Sequence, residues 1–392
     1  MKIIEVSGRK TIKDFHEVSR VLYKYDRVWV CPLDKEVEAR FDPEKNIYLK
    51  EGNYRRWILS DASENNLIGR IAAFYNQKKS MESEQPTGGI GFFECINDDN
   101  AARLLFDTAK SWLAAQGMEA MDGPVNPGEN NSFWGCLVEG FTHPGYGMPY
   151  NFPYYKLLFE NYGFKTYFEQ YSYHLEVAKP FPERFWKIAE WVMNKPGFSF
   201  RHFTFKEQEK FIADMVTIYN ESWSKFKSDY TPMNPDTLRE TLQEARMIID
   251  EEIIWFAYHN EEPIAFFVMF PDVNQIIKPF RGKLTYLNML RFIYAKYAGK
   301  INRARALVAG VVPKFQNSGI ESAIFNQYNK VIPPKKKYKK IELSWVGDYN
   351  PKMQALYEAV EAKKAKKHIT YRYLFDRNKP FRRFMPDILQ NK

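Results

Sequence analysis

One order of strands and helices occurs twice along the chain. Each half contains a strand that starts with tryptophan, a polar turn and a second strand, seen as WILSDASENNLIGRIAAF in the first half and WFAYHNEEPIAFF in the second. Each polar turn joins two short apolar segments, which predicts an antiparallel hairpin in both places. A solenoid needs about three or more repeats, so two copies indicate a duplicated α/β unit instead.

Further predicted elements flank the hairpins in the same order. In the first half they are Lys2–Val6, Thr11–Tyr23, Arg55–Leu59, Ile68–Tyr75, Gly88–Ile96 and a helix after Asn97, from which the chain returns through Ala120–Gly123. In the second half they are Phe198–Phe203, Glu207–Trp223, Pro235–Ala245, Ile253–Tyr258, Pro263–Phe270, Ala304–Val312, a helix, Lys340–Val346 and a last helix. A basic, partly aromatic insertion at 274–303 interrupts the second half. Pro180 and Pro182 disrupt regular structure between the halves, which predicts domains at 1–178 and 179–392.

Charge is unevenly distributed along the chain. The net charge is +9, yet residues 303–392 hold 20 Lys+Arg against 7 Asp+Glu, a net +13 that leaves −4 for the rest. This asymmetry is typical of a chain with a polyanionic partner. Nucleic acid, an anionic membrane and a phosphorylated cofactor all fit the charge.

The composition excludes several classes of protein. Apolar residues make up 45% of the chain and charged residues 27%, as in globular proteins with substantial cores. The N-terminal residues lack the apolar centre of a secretory signal, and no stretch approaches the roughly 20 apolar residues of a membrane span. Cys31, Cys95 and Cys136 are odd in number and widely spaced, and the histidines lack ligand spacing. We therefore expect a cytoplasmic protein with no metal and no membrane partner.

The segment most informative about chemistry is LVAGVVPKFQNSGIESAIFN, residues 307–326. A buried strand ends here at Pro313, and a polar turn containing Gly319 leads into a helix. The first backbone N–H groups of a helix have no partner within it and bind anions such as a pyrophosphate. The pattern therefore predicts an anion site at this junction.

This segment resembles the acyl-CoA motif of GNAT-superfamily N-acyltransferases, V-x-P-x-x-(Q/R)-x-x-G-x-(G/A), at Val311, Pro313, Gln316 and Gly319. Glu321 stands where the family usually has Gly or Ala, which puts a carboxylate near the phosphates. The resemblance implies acetyl-CoA or another acyl-CoA as co-substrate. The residues implied to bind it are Val311, Val312, Lys314, Phe315, Gln316, Asn317, Ser318, Gly319, Ile320, Glu321 and Asn350.

A second segment, IELSWVGDYNPKMQALYEAV, resembles the next strand and helix of the same family at Asn350 and Tyr357. The resemblance implies that Tyr357 protonates the departing thiolate as general acid. The alternative is that Tyr357 is an ordinary packing aromatic. Glu342 points away from the apolar face of its strand, so it is a candidate base for the amine, with a structural or surface charge as the alternative.

The first half lacks these features at the corresponding places. Its strand and turn read GFFECINDDN, in which Asp98 and Asp99 replace the glycine-containing turn and would repel a pyrophosphate. Phe159 occupies the position of the family's tyrosine. We therefore expect one CoA site per chain, in the second half, with the first half forming a wall of the acceptor cleft. The loop at 122–155, which carries Glu129, Asn130 and Trp134, is a candidate lining for that cleft. The alternative is an ordered loop that covers the sheet of the first half.

The resemblance to bacterial tandem-GNAT proteins extends over nearly the whole chain, through GFFEC, PDVNQ and ELSW among other segments. It implies an α/β (α+β) fold made of two GNAT units, each a mixed, mostly antiparallel sheet flanked by helices. The implied activity is acyl transfer from CoA to a small-molecule or peptide amine. The alternative is a non-catalytic GNAT-fold protein that binds a ligand or RNA. The lysine run at 333–340 is expected to be a solvated loop, with RNA or the 3′-phosphate of CoA as possible ligands.

Overall fold

A single mixed sheet of thirteen strands runs through the part of the chain that the computed structural model describes. The described residues are 1–63, 66–81, 84–128, 134–179, 181–223, 232–335 and 337–386, without the side chains of 333–335. The strands of the first half are β1 (Lys2–Glu5), β2 (Gly52–Ser60), β3 (Leu67–Asn76), β4 (Thr87–Cys95), β5 (Ala120–Gly123), β6 (Cys136–Glu139) and β7 (Lys165–Glu176). Those of the second half are β8 (Phe198–His202), β9 (Ile254–His259), β10 (Glu262–Pro271), β11 (Arg303–Val311), β12 (Lys340–Gly347) and β13 (Lys363–Leu374).

Helices lie on both faces of this sheet. In the first half they are α1 (Arg9–Leu22), α2 (Asp34–Ala39), α3 (Gln77–Met81), α4 (Asp99–Ala115) and α5 (Tyr155–Tyr162). In the second half they are α6 (Glu183–Met193), α7 (Gln208–Trp223), α8 (Pro235–Glu244), α9 (Asn274–Ile277), α10 (Tyr286–Tyr297), α11 (Ile320–Lys335) and α12 (Pro351–Ala359). Among the described residues, none of these helices has the length and apolar character that crossing a bilayer requires.

The two halves exchange their last strands. The order across the sheet is β1-β2-β3-β4-β5-β13-β7-β12-β11-β10-β9-β8, so β13 of the second half pairs with β5 of the first. Conversely, β7 of the first half pairs antiparallel with β12, from Lys340 opposite Glu176 to Gly347 opposite Gln170. The strands β13 and β7 also pair with each other along most of their length. Each half therefore completes the sheet of the other.

Packing follows the same exchange. Tyr371 of β13 is buried in the core of the first half, among the side chains of α4 and α5. Tyr173 and Leu175 of β7 are buried in the core of the second half. Burying one large apolar side chain contributes about 1.5–3 kcal/mol, so each half draws part of its stability from the other half's last strand.

The connection between the halves is short and packed. The predicted boundary at 178/179 falls in the turn between β7 and α6. Helix α6 then lies on α11, where Phe185 meets Phe325 with ring centroids 6.1 Å apart. A Cβ built on Gly319, just before α11, would lie 2.7 Å from Ile188 of α6. The connecting helix is thus part of the second half's core.

Candidate active site

The parallel strands β11 and β12 separate along their length. They are paired only where Arg303 to Arg305 face Lys340 to Glu342, although β11 continues to Val311 and β12 to Gly347. Beyond that point β11 stays paired with β10 and β12 with β7. A V-shaped gap therefore opens between the C-terminal ends of the two strands.

A β-bulge lies on the β11 wall of this gap. Val308 pairs with Val268 and Ala306 pairs with Met269, so Leu307 is an extra residue without a partner in the register. A bulge releases the extra residue from the hydrogen-bond ladder and turns the local backbone. The neighbouring residues Val308 and Ala309 are half-buried. This stretch is the part of β11 most open to a ligand lying in the gap.

The loop that follows β11 brings backbone N–H groups to the mouth of the gap. A 3₁₀ turn at Pro313–Phe315 is followed by Asn317 at φ +61° and Gly319 at φ +84°, and α11 begins at Ile320. The side-chain amide of Gln316 donates to the carbonyl oxygen of Val311 over 3.1 Å and closes the loop on the strand. The N–H groups of Phe315, Gln316 and Ser318 donate to carbonyl oxygens within the loop. Those of Asn317, Gly319 and Ile320 are left as candidate donors for an anion, the kind of site that the sequence predicts. Residues 313–320 are the anion loop.

The other residues of the predicted CoA loop differ in their availability. The N–H of Val312 donates to the carbonyl oxygen of Ile264 over 2.9 Å, so it is committed to the sheet. Lys314 and Asn317 are exposed at the loop surface, while Phe315 and Ser318 are half-buried. The side chains available to a bound anion are therefore those of the exposed turn.

Glu321 lies in the first turn of α11, as expected from the sequence. Burial raises the pKa of its carboxyl group, and a hydrogen bond from its own backbone N–H opposes that shift. The raised pKa means that burial already disfavours the charged form there. The carboxylate remains the unfavourable element of this anion site.

Tyr357 is buried beside the gap. Its hydroxyl donates over 3.4 Å to the carbonyl oxygen of Ser344, which lies in the part of β12 that has separated from β11. The ring packs edge-on against Tyr173 of β7, with centroids 5.2 Å apart. Burial and the neighbouring Tyr173 raise the pKa of Tyr357, so its hydroxyl keeps its proton. Asn350 caps α12 by accepting a hydrogen bond from the N–H of Met353 over 3.2 Å.

Glu342 is held in a buried ion pair. Its Oε1 atom accepts hydrogen bonds from Lys366 over 2.6 Å and from Ser172 over 3.0 Å, and Oε2 lies 3.5 Å from His174. Burial raises the pKa of the carboxyl group, but the hydrogen bond from His174 and the charge of Lys366 outweigh it and lower the pKa to about 2. Such a carboxylate accepts protons poorly. The geometry favours the structural alternative for Glu342 over the role of base.

A polar cluster that the sequence analysis did not single out surrounds Glu342 on the same face of the sheet. Arg305 faces Glu342 across the β11–β12 pairing and lies 4.9 Å from the ring centroid of Trp134. Asp272 forms an ion pair with Arg303 at 2.7 Å and accepts a hydrogen bond from the N–H of Tyr146 over 3.0 Å. The sequence signal was the RARA pattern at the start of β11, which places two arginines on one strand. This pattern does not identify the cluster by itself, because the contacts of Arg305 come from the loop at 122–155.

The loop at 122–155 covers this cluster from the first half. Trp134 is fully buried against Arg305, and the carbonyl oxygen of Tyr146 accepts a hydrogen bond from the same guanidinium. The loop therefore forms a wall over the second half's strands. Glu129 and Asn130 lie outside the described residues. In the lysine run, Lys337 pairs with Asp250 at 2.6 Å, and the side chains of 333–336 lie outside the described part.

The corresponding gap of the first half is filled by its own chain. Strands β4 and β5 pair only between Thr87–Gly89 and Ala120–Asp122. The chain then folds back so that the N–H of Val125 donates to Ile90 over 2.8 Å, and a Cβ on Gly91 would lie 1.6 Å from the carbonyl oxygen of Val125. The backbone of Val125 thus occupies the place where the second half has an open gap.

Two further residues of the first half match the predicted differences. Asp98 caps α4 by accepting a hydrogen bond from the N–H of Ala101 over 2.8 Å. Phe159 stacks on Tyr371 of β13, with centroids 5.3 Å apart, as Tyr357 packs on Tyr173 of β7. Phe159 and Tyr357 therefore hold equivalent positions in the two halves, and only the second carries a hydroxyl.

Solved structures share the overall fold of this chain. A tandem GNAT protein from the clavulanic acid biosynthesis pathway superposes with a TM-score of 0.58 and 9% identity, covering 96% of this chain and 99% of that one. A GCN5-related N-acetyltransferase from Sphaerobacter thermophilus superposes with a TM-score of 0.50 and 11% identity, covering 97% and 98% of the two chains. The protein has a tandem GNAT fold, which confirms the fold class predicted from the sequence.

Among curated proteins, the bacterial ceramide synthase of Caulobacter vibrioides is 23% identical over 368 residues, which is 92% of this chain and 94% of that protein. No family model matches the sequence. The similarity therefore extends along both halves of the chain, beyond the motif at the start of α11.

Proposed function

We propose that the protein is an N-acyltransferase that binds one acyl-CoA in the gap between β11 and β12 and transfers the acyl group to an amine. The observation that carries the proposal is the contrast between the two halves. In the second half, the gap carries a bulge at Leu307 and leads to the anion loop before α11. In the first half, Val125 fills the equivalent gap. A CoA pantetheine arm needs such a gap between strands, and its pyrophosphate needs the N–H groups of the loop.

In this proposal the amine attacks the thioester carbonyl carbon directly. The C–N bond forms, the carbonyl oxygen becomes an oxyanion, and the C–S bond then breaks to release the CoA thiolate. The backbone freed by the bulge at Leu307 supplies an N–H donor for the oxyanion, since Val312 is engaged with Ile264. Tyr357 keeps its proton because its pKa is raised, so its hydroxyl can offer a hydrogen bond to the leaving thiolate. In this proposal the proton passes along that hydrogen bond as the C–S bond breaks, although the raised pKa makes Tyr357 a weaker acid than a free tyrosine.

The amine proton needs an acceptor other than Glu342, because Lys366 and His174 hold the pKa of that carboxylate low. A water molecule at the gap can take the proton from the ammonium formed by the attack. In this proposal Glu342 positions the neighbouring strands, and the amine must reach the site in its neutral form.

The similarity to a bacterial ceramide synthase favours a lipid amine as acceptor over the small-molecule or peptide amines that the sequence left open. We propose an acceptor whose amine sits at the polar end of a long hydrocarbon chain. The acyl donor would then be acetyl-CoA or a longer acyl-CoA, with the longer one expected to give the faster transfer.

Thermal unfolding in the presence of ligands tests the binding step. Saturating acetyl-CoA, a long-chain acyl-CoA and free CoA are compared with no ligand, and a concentration of about 100 times Kd should stabilise the fold by about 2.7 kcal/mol. Release of free thiol is then followed with a sphingoid-type amine and with a short alkylamine. Thiol release that depends on the amine supports the proposal. The absence of any thermal shift with all three ligands contradicts it, and binding without transfer favours the non-catalytic alternative.

A further inference from the structure

Helix α10 exposes a large apolar surface. Tyr286, Leu290, Tyr294 and Tyr297 are 90%, 65%, 69% and 85% exposed, and they recur about one helical turn apart. Leu284, Leu287 and Met289 next to them are also exposed. A surface helix of a globular protein normally turns polar residues outward, so this helix has an unusual outer face.

The inner face of α10 anchors it to the body of the protein. Phe292 and Ala295 are buried, and the buried Asn288 donates to the carbonyl oxygen of Lys283 over 2.8 Å. The Thr285 hydroxyl caps the first turn by accepting a hydrogen bond from the N–H of Asn288 over 3.3 Å. The exposed side chains are therefore presented by a fixed, capped helix.

The sequence segment that contains α10 is basic. From Gln275 to Asn302 the sequence contains six basic residues and no acidic one. The basic residues are Lys278, Arg281, Lys283, Arg291, Lys296 and Lys300. Cationic side chains beside exposed leucine and tyrosine are the combination that binds anionic lipid headgroups and the outer acyl region together. Tyrosine is also enriched where proteins meet the bilayer interface.

The position of α10 suits a lipid surface. Helix α10 precedes the first residue of β11, whereas the anion loop follows its last residue. The nine extended residues of β11 place their two ends about 26 Å apart at roughly 3.3 Å per residue step. The α10 end is also joined to the first half, where the backbone carbonyl of Arg281 accepts a hydrogen bond from Arg20 over 3.0 Å. A membrane at this end leaves the anion loop in water.

We infer that α10 lies in the interfacial plane of an anionic bilayer, with Leu287, Leu290 and Tyr294 among the acyl chains and the lysines at the headgroups. A second copy of the chain is disfavoured as the occupant because its own basic segment would repel this one. The inference replaces the sequence-based expectation of no membrane partner, which rested on the lack of a spanning segment. It concerns a surface and does not require an active CoA site.

Flotation of the full chain with vesicles tests this inference. Vesicles of phosphatidylcholine alone are compared with vesicles containing about 30 mol% phosphatidylglycerol, whose negative surface attracts basic segments. The protein is expected to float with the anionic vesicles and to remain largely behind with the neutral ones. The Leu287→Glu/Leu290→Glu variant should lower the bound fraction at least about tenfold, since two charges would enter the acyl region.

Leu157→Glu on α5 is the matched control, because Leu157 is 57% exposed, like Leu287. This variant should float like the original protein, and the melting curves of both variants should match the original, since all three side chains are on the surface. Protein that stays in the aqueous fraction with anionic vesicles overturns the inference. The inference is also overturned if the Leu287→Glu/Leu290→Glu variant floats as well as the original protein. It is likewise overturned if the original protein is a dimer that this variant dissociates, because a second copy would then cover α10.

Discussion

Glu342 of β12 and Lys366 of β13 form a buried ion pair, with 2.6 Å between Oε1 and Nζ. The two strands are not neighbours, because β7 runs between them and contributes the Ser172 hydroxyl to the same carboxylate oxygen. The pair thus joins one strand of the second half, its exchanged last strand and the exchanged strand of the first half. It holds the sheet together where the halves interlock.

Breaking this pair on one side should destabilise the fold strongly. Lys366→Met leaves a buried carboxylate without its partner, which should lower the free energy of unfolding by about 3–5 kcal/mol. The double variant Glu342→Gln/Lys366→Met removes both charges and should recover much of that loss. Urea denaturation of the original protein, of Glu342→Gln, of Lys366→Met and of the double variant gives the interaction free energy between the two side chains. Additive losses would contradict a direct pair.

Removing the hydroxyl of Tyr357 should affect catalysis more than stability. Tyr357→Phe keeps the edge-on contact with Tyr173 and loses only the 3.4 Å bond to Ser344. We expect kcat to fall about 10²-fold, with the Kd for acyl-CoA unchanged, because a proton donor is lost from the leaving group. Tyr173→Phe is the matched control, since it removes a buried hydroxyl from the facing ring and should leave kcat unchanged. Equal effects of the two changes would assign Tyr357 to packing.

Adding a methyl group at Gly319 should disturb the anion loop. Gly319 has φ +84°, and a Cβ there would lie 2.7 Å from Ile188, whereas Gly117 has φ +83° with no atom within 4 Å of such a Cβ. Both Gly→Ala changes carry the backbone strain of about 1–2 kcal/mol, and Gly319→Ala adds overpacking of about 1–3 kcal/mol. Calorimetric titration should show weaker CoA binding only for Gly319→Ala. Unaltered affinity would place the phosphates elsewhere.

Replacing Glu321 should tighten CoA binding. Glu321→Gly restores the usual residue of the motif, and Glu321→Gln removes only the charge at the start of α11. Each should lower the Kd by about fivefold, as expected for about 1 kcal/mol of repulsion near a helix N-terminus. Titrations at two ionic strengths should show the gain shrinking with salt. A weaker Kd for both variants would mean that the carboxylate supports the helix instead.

Stability should fall as the pH drops below about 6.5, partly through His143. Burial and the charge of Arg303 lower the pKa of His143 to about 4, so the folded state keeps the ring neutral while the unfolded chain binds a proton. Between these pKa values the unfolded state holds more protons, and stability decreases with falling pH by up to about 1.4 kcal/mol per pH unit. His143→Gln should remove the contribution of His143, so between pH 6.5 and 4 its stability should fall less on acidification than that of the original protein. An unchanged slope would contradict it.

Asp272 acts in the opposite direction in part of this range. Burial raises its pKa to about 6, against the opposing charge of Arg303. The folded state therefore binds this proton more tightly than the unfolded chain, and its contribution to stability is lost as the pH rises through about 6. Of these two groups only His143 titrates between about pH 6.5 and 6, so their combined loss of stability on acidification is steepest there. Between about pH 6 and 4 Asp272 offsets the histidine.

The order of elements was predictable because hairpins and capped helices have local signals. The strand predicted at 304–312 is observed at Arg303–Val311, and the helix predicted at 235–245 at Pro235–Glu244. The junction at the start of α11 was also predictable, since a strand, a turn with glycine and a helix follow one another in the sequence.

The exchange of β7 and β13 was not predictable in the same way. Both strands alternate apolar and polar residues, and alternation gives the faces of a strand but not its neighbour. The buried environment of Glu342 depends on Lys366, His174 and Ser172, which come from those two exchanged strands. Its low pKa could therefore not be inferred from the spacing on β12 alone.

A crystal structure with a bound, non-hydrolysable acyl-CoA analogue tests the central claim most directly. We predict one analogue per chain, with its pyrophosphate within residues 315–321, on the N–H groups of Asn317, Gly319 and Ile320. Those of Phe315, Gln316 and Ser318 donate to carbonyl oxygens of the loop. The pantetheine arm should lie beside Leu307 in the gap between β11 and β12. Its thioether sulfur should approach the Tyr357 hydroxyl. Density for the analogue beside Asn97 to Asn100 of the first half, or its binding outside both gaps, would contradict the account.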